Sequence, residues 1–202
     1  MKQILRFSVL GVLLVPFALA RPHVPPNPQA QLENKVRKEL VELPDYGVYD
    51  FLAFRLDGHR VTLMGYAEND MLKSEAGKSV SRVKGVEAVQ NDIQVLPLSR
   101  IDDSIRTALF FRIYHQPSLS RYAAGDGLMM QDPFLRPPLG WQNTPSNTFE
   151  PAGDYSIHII VNNGNVLLLG NVDTKMDKDL AGITANELPG VFKVENLLTV
   201  GS

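Results

Sequence analysis

The 202-residue sequence contains no cysteine. That absence excludes disulfide cross-links, a thiolate nucleophile and lipid attachment through an N-terminal cysteine, so packing alone must hold its domains. Histidine is scarce: His23, His59, His115 and His158 are not paired at metal-ligand spacing. No G-x-S-x-G, P-loop or H-E-x-x-H is present, which removes the common signatures of hydrolase, nucleotide and zinc-protease chemistry. Positive charge is not in excess either. Twenty Lys and Arg face 22 Asp and Glu, and a near-neutral chain lacks the basic surface that nucleic-acid binding needs.

Long apolar runs are also missing, apart from one at the start. Lys2 and Arg6 precede the run Phe7–Leu19, which ends in Ala18-Leu19-Ala20. It is shorter than the roughly 18–20 residues that span a bilayer, and its form is that of a secretory signal peptide over residues 1–20, cleaved after Ala20. The mature chain of about 182 residues would then carry 18 basic and 22 acidic residues, a formal charge of −4. With no second apolar span it is expected to be soluble, periplasmic or secreted, and long enough for two small domains.

What is abundant is self-similarity. The segment from Gly65, GYAENDMLKSEAGKSVSRVKGVEAVQNDIQV, returns without a gap from Gly170 as GNVDTKMDKDLAGITANELPGVFKVENLLTV. Ten of 31 aligned positions are identical, each 105 residues later: Gly65, Met71, Lys73, Ala76, Gly77, Gly85, Val86, Val89, Asn91 and Val95 recur. The offset is too long for a solenoid repeat and suits a duplicated small domain.

Residues 21–28, RPHVPPNP, are an extended proline-rich linker. Leu32, Val36 and Leu40 then recur at helical spacing, ending at Pro44 and Gly47. Leu52, Phe54 and Leu56 alternate with Ala53, Arg55 and Asp57, and after Asp57-Gly58 the alternation resumes at Val61 and Leu63, which predicts a hairpin. The second copy repeats this with Ile157, Ile159 and Val161, then Asn162-Asn163-Gly164-Asn165, then Val166 and Leu168. A second helix starts near Asn69-Asp70 or Asp173-Thr174 and stops by Gly85 or Gly190. A third strand follows through Val89, Ile93 and Val95, or Val194, Leu198 and Val200.

The chain thus reads as α+β: two tandem αββαβ modules, at 29–97 and 99–200, each a three-stranded mixed sheet with two helices on one face. Gly77 and Gly182 lie mid-helix, where glycine costs roughly 1 kcal/mol against alanine, so close helix–sheet packing is expected there. Asp102 and Asp103, behind Ser99, read as first-turn acids that complement a helix dipole.

Matching Leu32, Val36 and Leu40 to Ile101, Ile105 and Leu109 gives an offset of 69. The second copy then holds a 36-residue irregular insertion within about 115–155. It carries six prolines and the apolar residues Met129, Met130, Phe134, Leu135 and Trp141, candidate contacts for a lipid surface or a partner. The sheet face away from the helices is mixed in copy one. In copy two it is mostly apolar (His158, Ile160, Leu167, Leu169, Leu197 and Thr199), and an apolar face needs cover, expected from the insertion or the other module.

The element order, the glycine ending the second strand at Gly65 and Gly170, and a Gly-Val-x-x-Val-x-Asn segment resemble the BON domain family (bacterial OsmY and nodulation). That segment is Gly85, Val86, Val89 and Asn91, then Gly190, Val191, Val194 and Asn196. The resemblance implies a tandem, non-enzymatic exported envelope protein without cofactor or metal. It would bind phospholipid membrane surfaces or envelope proteins, serve envelope integrity or the osmotic stress response, and take no small-molecule substrate or nucleic acid. One alternative is a structural domain of an envelope or secretion assembly. Another is an enzyme whose site the insertion builds from His115, Asp126, Asp132 or His158, with no motif behind it.

Overall fold

A computed structural model describes residues 27–123 and 155–201. Residues 1–20, expected to be a signal peptide, and all five candidate contacts of the insertion, Met129 to Trp141, lie outside the described residues.

The first module runs α1 (Pro28–Val41), β1 (Phe51–Asp57), β2 (Arg60–Ala67), α2 (Asp70–Ser81), β3 (Ala88–Asn91) and β4 (Gln94–Val95). The second runs α3 (Arg100–Tyr114), a 3₁₀ turn (Ser120–Tyr122), β5 (Ile157–Asn162), β6 (Asn165–Val172), α4 (Lys175–Asn186), β7 (Lys193–Asn196) and β8 (Thr199–Val200). Each sheet is mixed, with β1 antiparallel to β2, which is parallel to β3 and β4, and the second module copies this with β5 to β8. The predicted third strand is therefore one strand broken in two.

The helices start where side chains can accept the orphan amides of a first turn. Asn69 caps α2 through Leu72 N–H, Thr174 caps α4 through Asp177 N–H, and Ser99 caps α3 through Asp102 N–H. Two-residue turns close both hairpins. Asn163 and Gly164 both have positive φ, 49° and 72°, which matches the strand twist that short hairpins require.

The recurring glycines and asparagines form one device. At Gly65 and Gly170 φ is 117° and 120°, and a Cβ would stand 2.0 Å from Phe51 O or 2.1 Å from Ser156 O. Only glycine fits that kink. Across from the kink, Asn91 Nδ2 donates to Lys73 O on α2, and its Oδ1 accepts from Ile93 N–H. Asn196 does the same with Lys178 O and Leu198 N–H. The asparagine takes up the amide that follows the break in the strand and ties that level to a helix carbonyl. The helix glycines make room for it: a Cβ on Gly77 or Gly182 would meet the asparagine Nδ2 at 2.9 or 2.7 Å. The close approach expected at these glycines is present, and its partner is a side chain.

The first-helix alignment is off by one turn. Leu32 packs over Gly85, and its counterpart over Gly190 is Ile105, not Ile101, which stands 72% exposed. The offset is therefore 73. Set against the 105-residue offset of the strands, it shortens the insertion to 32 residues. Apolar spacing alone missed this, because a helix shifted by four residues keeps the same stripe.

Candidate functional site

The two modules meet through a segment to which the sequence pattern assigned only the end of the first helix, at Pro44 and Gly47. Tyr46 to Phe51 leave α1 for β1, yet Val48 and Tyr49 are buried in the core of the second module. Ile159 N–H on the edge strand β5 donates to Val48 O at 2.8 Å. Tyr49 stacks edge-on against Phe110 of α3, with ring centroids 6.4 Å apart. Burial drives the Tyr49 and Tyr114 hydroxyl pKa values well above the usual tyrosine value, and Tyr114 OH donates to Ile157 O at 2.6 Å.

Buried charge braces the segment. Asp50 accepts from Gly47 N–H and Glu68 N–H at 3.0 and 2.7 Å. The Glu68 carboxylate, in turn, pairs across the junction with Arg106 at 3.2 Å. Arg106 also meets Asp103 at 2.6 Å and donates to Val161 O at 2.8 Å. Asp102 does more than complement a dipole: its carboxylate accepts from Asn163 N–H and Gly164 N–H, both at 2.8 Å, and clamps the β5–β6 turn to α3.

His158 does face away from the helices, and part of the expected cover is the first module. The ring is 5% exposed between Tyr46 and Phe51, at centroid distances of 5.4 and 5.5 Å, with Tyr46 OH 3.2 Å from Nε2. His115 is on the surface at the end of α3, Nδ1 against Phe111 O. Asp126 and Asp132 lie outside the described residues. A histidine packed between rings is poorly placed to meet a substrate, so the enzyme alternative loses its anchor. Among the described residues no group of acidic or histidine side chains could hold a metal ion.

Two surfaces stand out. At the turn end of the second module, Leu98, Ile101 and Phe192 are 97%, 72% and 83% exposed. Phe192 N–H donates to Gly164 O, Ile101 lies one turn before Ile105, which reaches Gly190, and Leu98 directly precedes the Ser99 cap of α3, so the three lie at one end. The other surface is a groove of about 420 Å³ between α1 and the edge strand β1, with Arg37, Val41, Leu52, Phe54 and Leu56 in its walls. A polar cluster elsewhere is structural: Asp177 accepts from Thr174, Arg121 and Tyr122, and the Thr174 hydroxyl above all lowers its pKa.

The family model described as "BON domain" matches residues 28–97 and 150–202, more than half of the chain. The chain belongs to the BON domain family, as the Gly-Val-x-x-Val-x-Asn segments suggested. Membership points to a non-enzymatic, envelope-associated protein. No curated protein matches the chain. Among solved structures it is similar to CdsD, a structural protein of the type III secretion system of Chlamydia trachomatis, at 11% identity and a TM-score of 0.27, covering 85% of this chain and 92% of that one. The C-terminal domain of the same protein matches at 10% identity and 0.23, covering 86% and 96%. Among the described residues, no helix is long and apolar enough to cross a membrane.

Proposed function

We propose that this protein is an exported, non-enzymatic envelope protein that docks on phospholipid surfaces through the turn end of its second module, in support of envelope integrity under osmotic stress. Family membership supports the envelope setting. The observation that carries the lipid reading is the exposure of Leu98, Ile101 and Phe192 around one end, beside the cations Arg100 and Lys193, the second of them paired with Glu195. Apolar side chains of this size enter the headgroup boundary, while neighbouring cations meet anionic lipid. The junction presents this end on a fixed support, since Val48 and Tyr49 tie the first module to β5.

Co-sedimentation of the mature protein with vesicles of phosphatidylcholine, with and without phosphatidylglycerol, tests the reading. Phe192→Asp should weaken binding about tenfold or more, as expected for one large apolar side chain kept in water. Phe192 is mostly exposed, so folding should not change. Wild-type protein that binds neither vesicle would end the lipid reading.

A further inference from the structure

The two modules have the same hairpin register but unequal edges. Phe54 faces Leu63 as Ile159 faces Leu168, 105 residues on. In an antiparallel pair, alternate residues turn their N–H and C=O groups away from the partner strand. Ile159 turns its N–H outward to Val48 O, and the carbonyls of Ile157 and Val161 point the same way, to Tyr114 OH and Arg106 Nη2. The outer edge of β5 is thus filled: one backbone carbonyl, from a Gly-Val-Tyr segment, and two side chains of α3. Ile157, Ile159 and Val161 are fully buried as a result.

On β1 the corresponding outward groups are Leu52 O, Phe54 N–H and Leu56 O. Among the described residues none of them has a hydrogen-bond partner. The helix positions that seal β5, Arg106, Phe110 and Tyr114, correspond at the offset of 73 to Glu33, Arg37 and Val41. None of these reaches the edge by hydrogen bond; Arg37 instead lies over the Phe54 ring, 5.9 Å from its centroid. The groove of about 420 Å³ occupies the position that Val48 and Tyr49 fill in the second module. Leu52, Phe54 and Leu56 remain half-buried along it.

We infer that the β1 edge binds a turn segment of a partner polypeptide carrying an aliphatic–aromatic pair, in the way that β5 holds Gly47-Val48-Tyr49, a turn closed by Asp50 N–H on Gly47 O at 3.3 Å. A main-chain hydrogen bond to the open edge fixes the segment in place, and burial of its two side chains in the groove supplies affinity and selectivity. The molecule itself displays the bound form, on a strand of the same register beside an equivalent helix. The surface is separate from the apolar end assigned to lipid, so either can fail without the other.

The probe is a peptide of residues 44–50, Pro-Asp-Tyr-Gly-Val-Tyr-Asp, added to the mature protein while amide exchange is followed by NMR. At a concentration tenfold above Kd, Phe54 N–H exchange should slow on the order of tenfold, with Ile159 unchanged. The peptide with both Val48 and Tyr49 replaced by Asp should have no effect. Combining Glu33→Arg, Arg37→Phe and Val41→Tyr installs the residues that seal β5 and should abolish the slowing; where that variant misfolds, Val41→Lys at the groove rim takes its place. No slowing with millimolar peptide, or slowing that survives these variants, would overturn the inference. So would concentration-dependent self-association lost in the same variants, which assigns the edge to a second copy. Faster Phe54 exchange after deletion of residues 21–26 would assign it to the chain's own linker.

Discussion

Positive φ and empty space separate the glycines that the fold cannot change from those it can. Gly170→Ala should cost on the order of 3 kcal/mol, because the strained backbone region is compounded by a Cβ 2.1 Å from Ser156 O. Gly58→Ala meets nothing within 4 Å and should cost about 1 kcal/mol, the conformational penalty alone. Urea midpoints at unchanged slope would measure both. The Gly77–Asn91 contact makes a different prediction. Gly77→Ala should destabilise the wild type, yet stabilise an Asn91→Ala protein by about 1 kcal/mol, since helix propensity then acts without the collision. The 105-residue recurrence displayed both residues. That they touch was not legible, because sequence gives the positions of a glycine and an asparagine but not the helix–strand separation.

Elements gain their boundaries from caps and their stiffness from buried carboxylates. The Asp177 pKa is lowered chiefly by the Thr174 hydroxyl, so folding favours its ionised form. Its contribution is present above the unfolded value of 3.8 and is lost as pH falls through the lower folded value. Thermal melts between pH 7 and 2.5 should show this acid loss in the wild type and a flatter profile in Asp177→Asn. Strands and helices were readable from apolar periodicity because the residues under the helices alternate regularly in both hairpins, although β5 is buried on both faces. The first-helix register was not, since the stripe Ile101, Ile105, Leu109 and Ile113 offers two alignments, and only the contacts at Gly85 and Gly190 choose between them. Asp102 was visible as a first-turn acid. Its second role depends on the β5–β6 turn arriving beside it from 61 residues away.

At the scale of the whole molecule the modules should unfold as one. Arg106 is almost wholly buried while bonded to Glu68 of the first module and Val161 of the second. Arg106→Ala leaves Glu68 and Asp103 without their cation and should cost about 3–5 kcal/mol. Calorimetry should show a single transition in wild type and two in the variant. The junction was the least legible part of the sequence. Tyr46, Val48, Tyr49 and Phe51 crowd one short connection, more apolar surface than a solvated loop needs, and that excess was the available signal. The contact also has a direction. The α1–β1 connection of the leading module enters the edge of the trailing one, so the two surfaces that meet are different and the pairing is heterologous. Module order is therefore part of the structure. A chain re-spliced with the second module first would retain both αββαβ units, but Val48 would no longer precede the strand it caps.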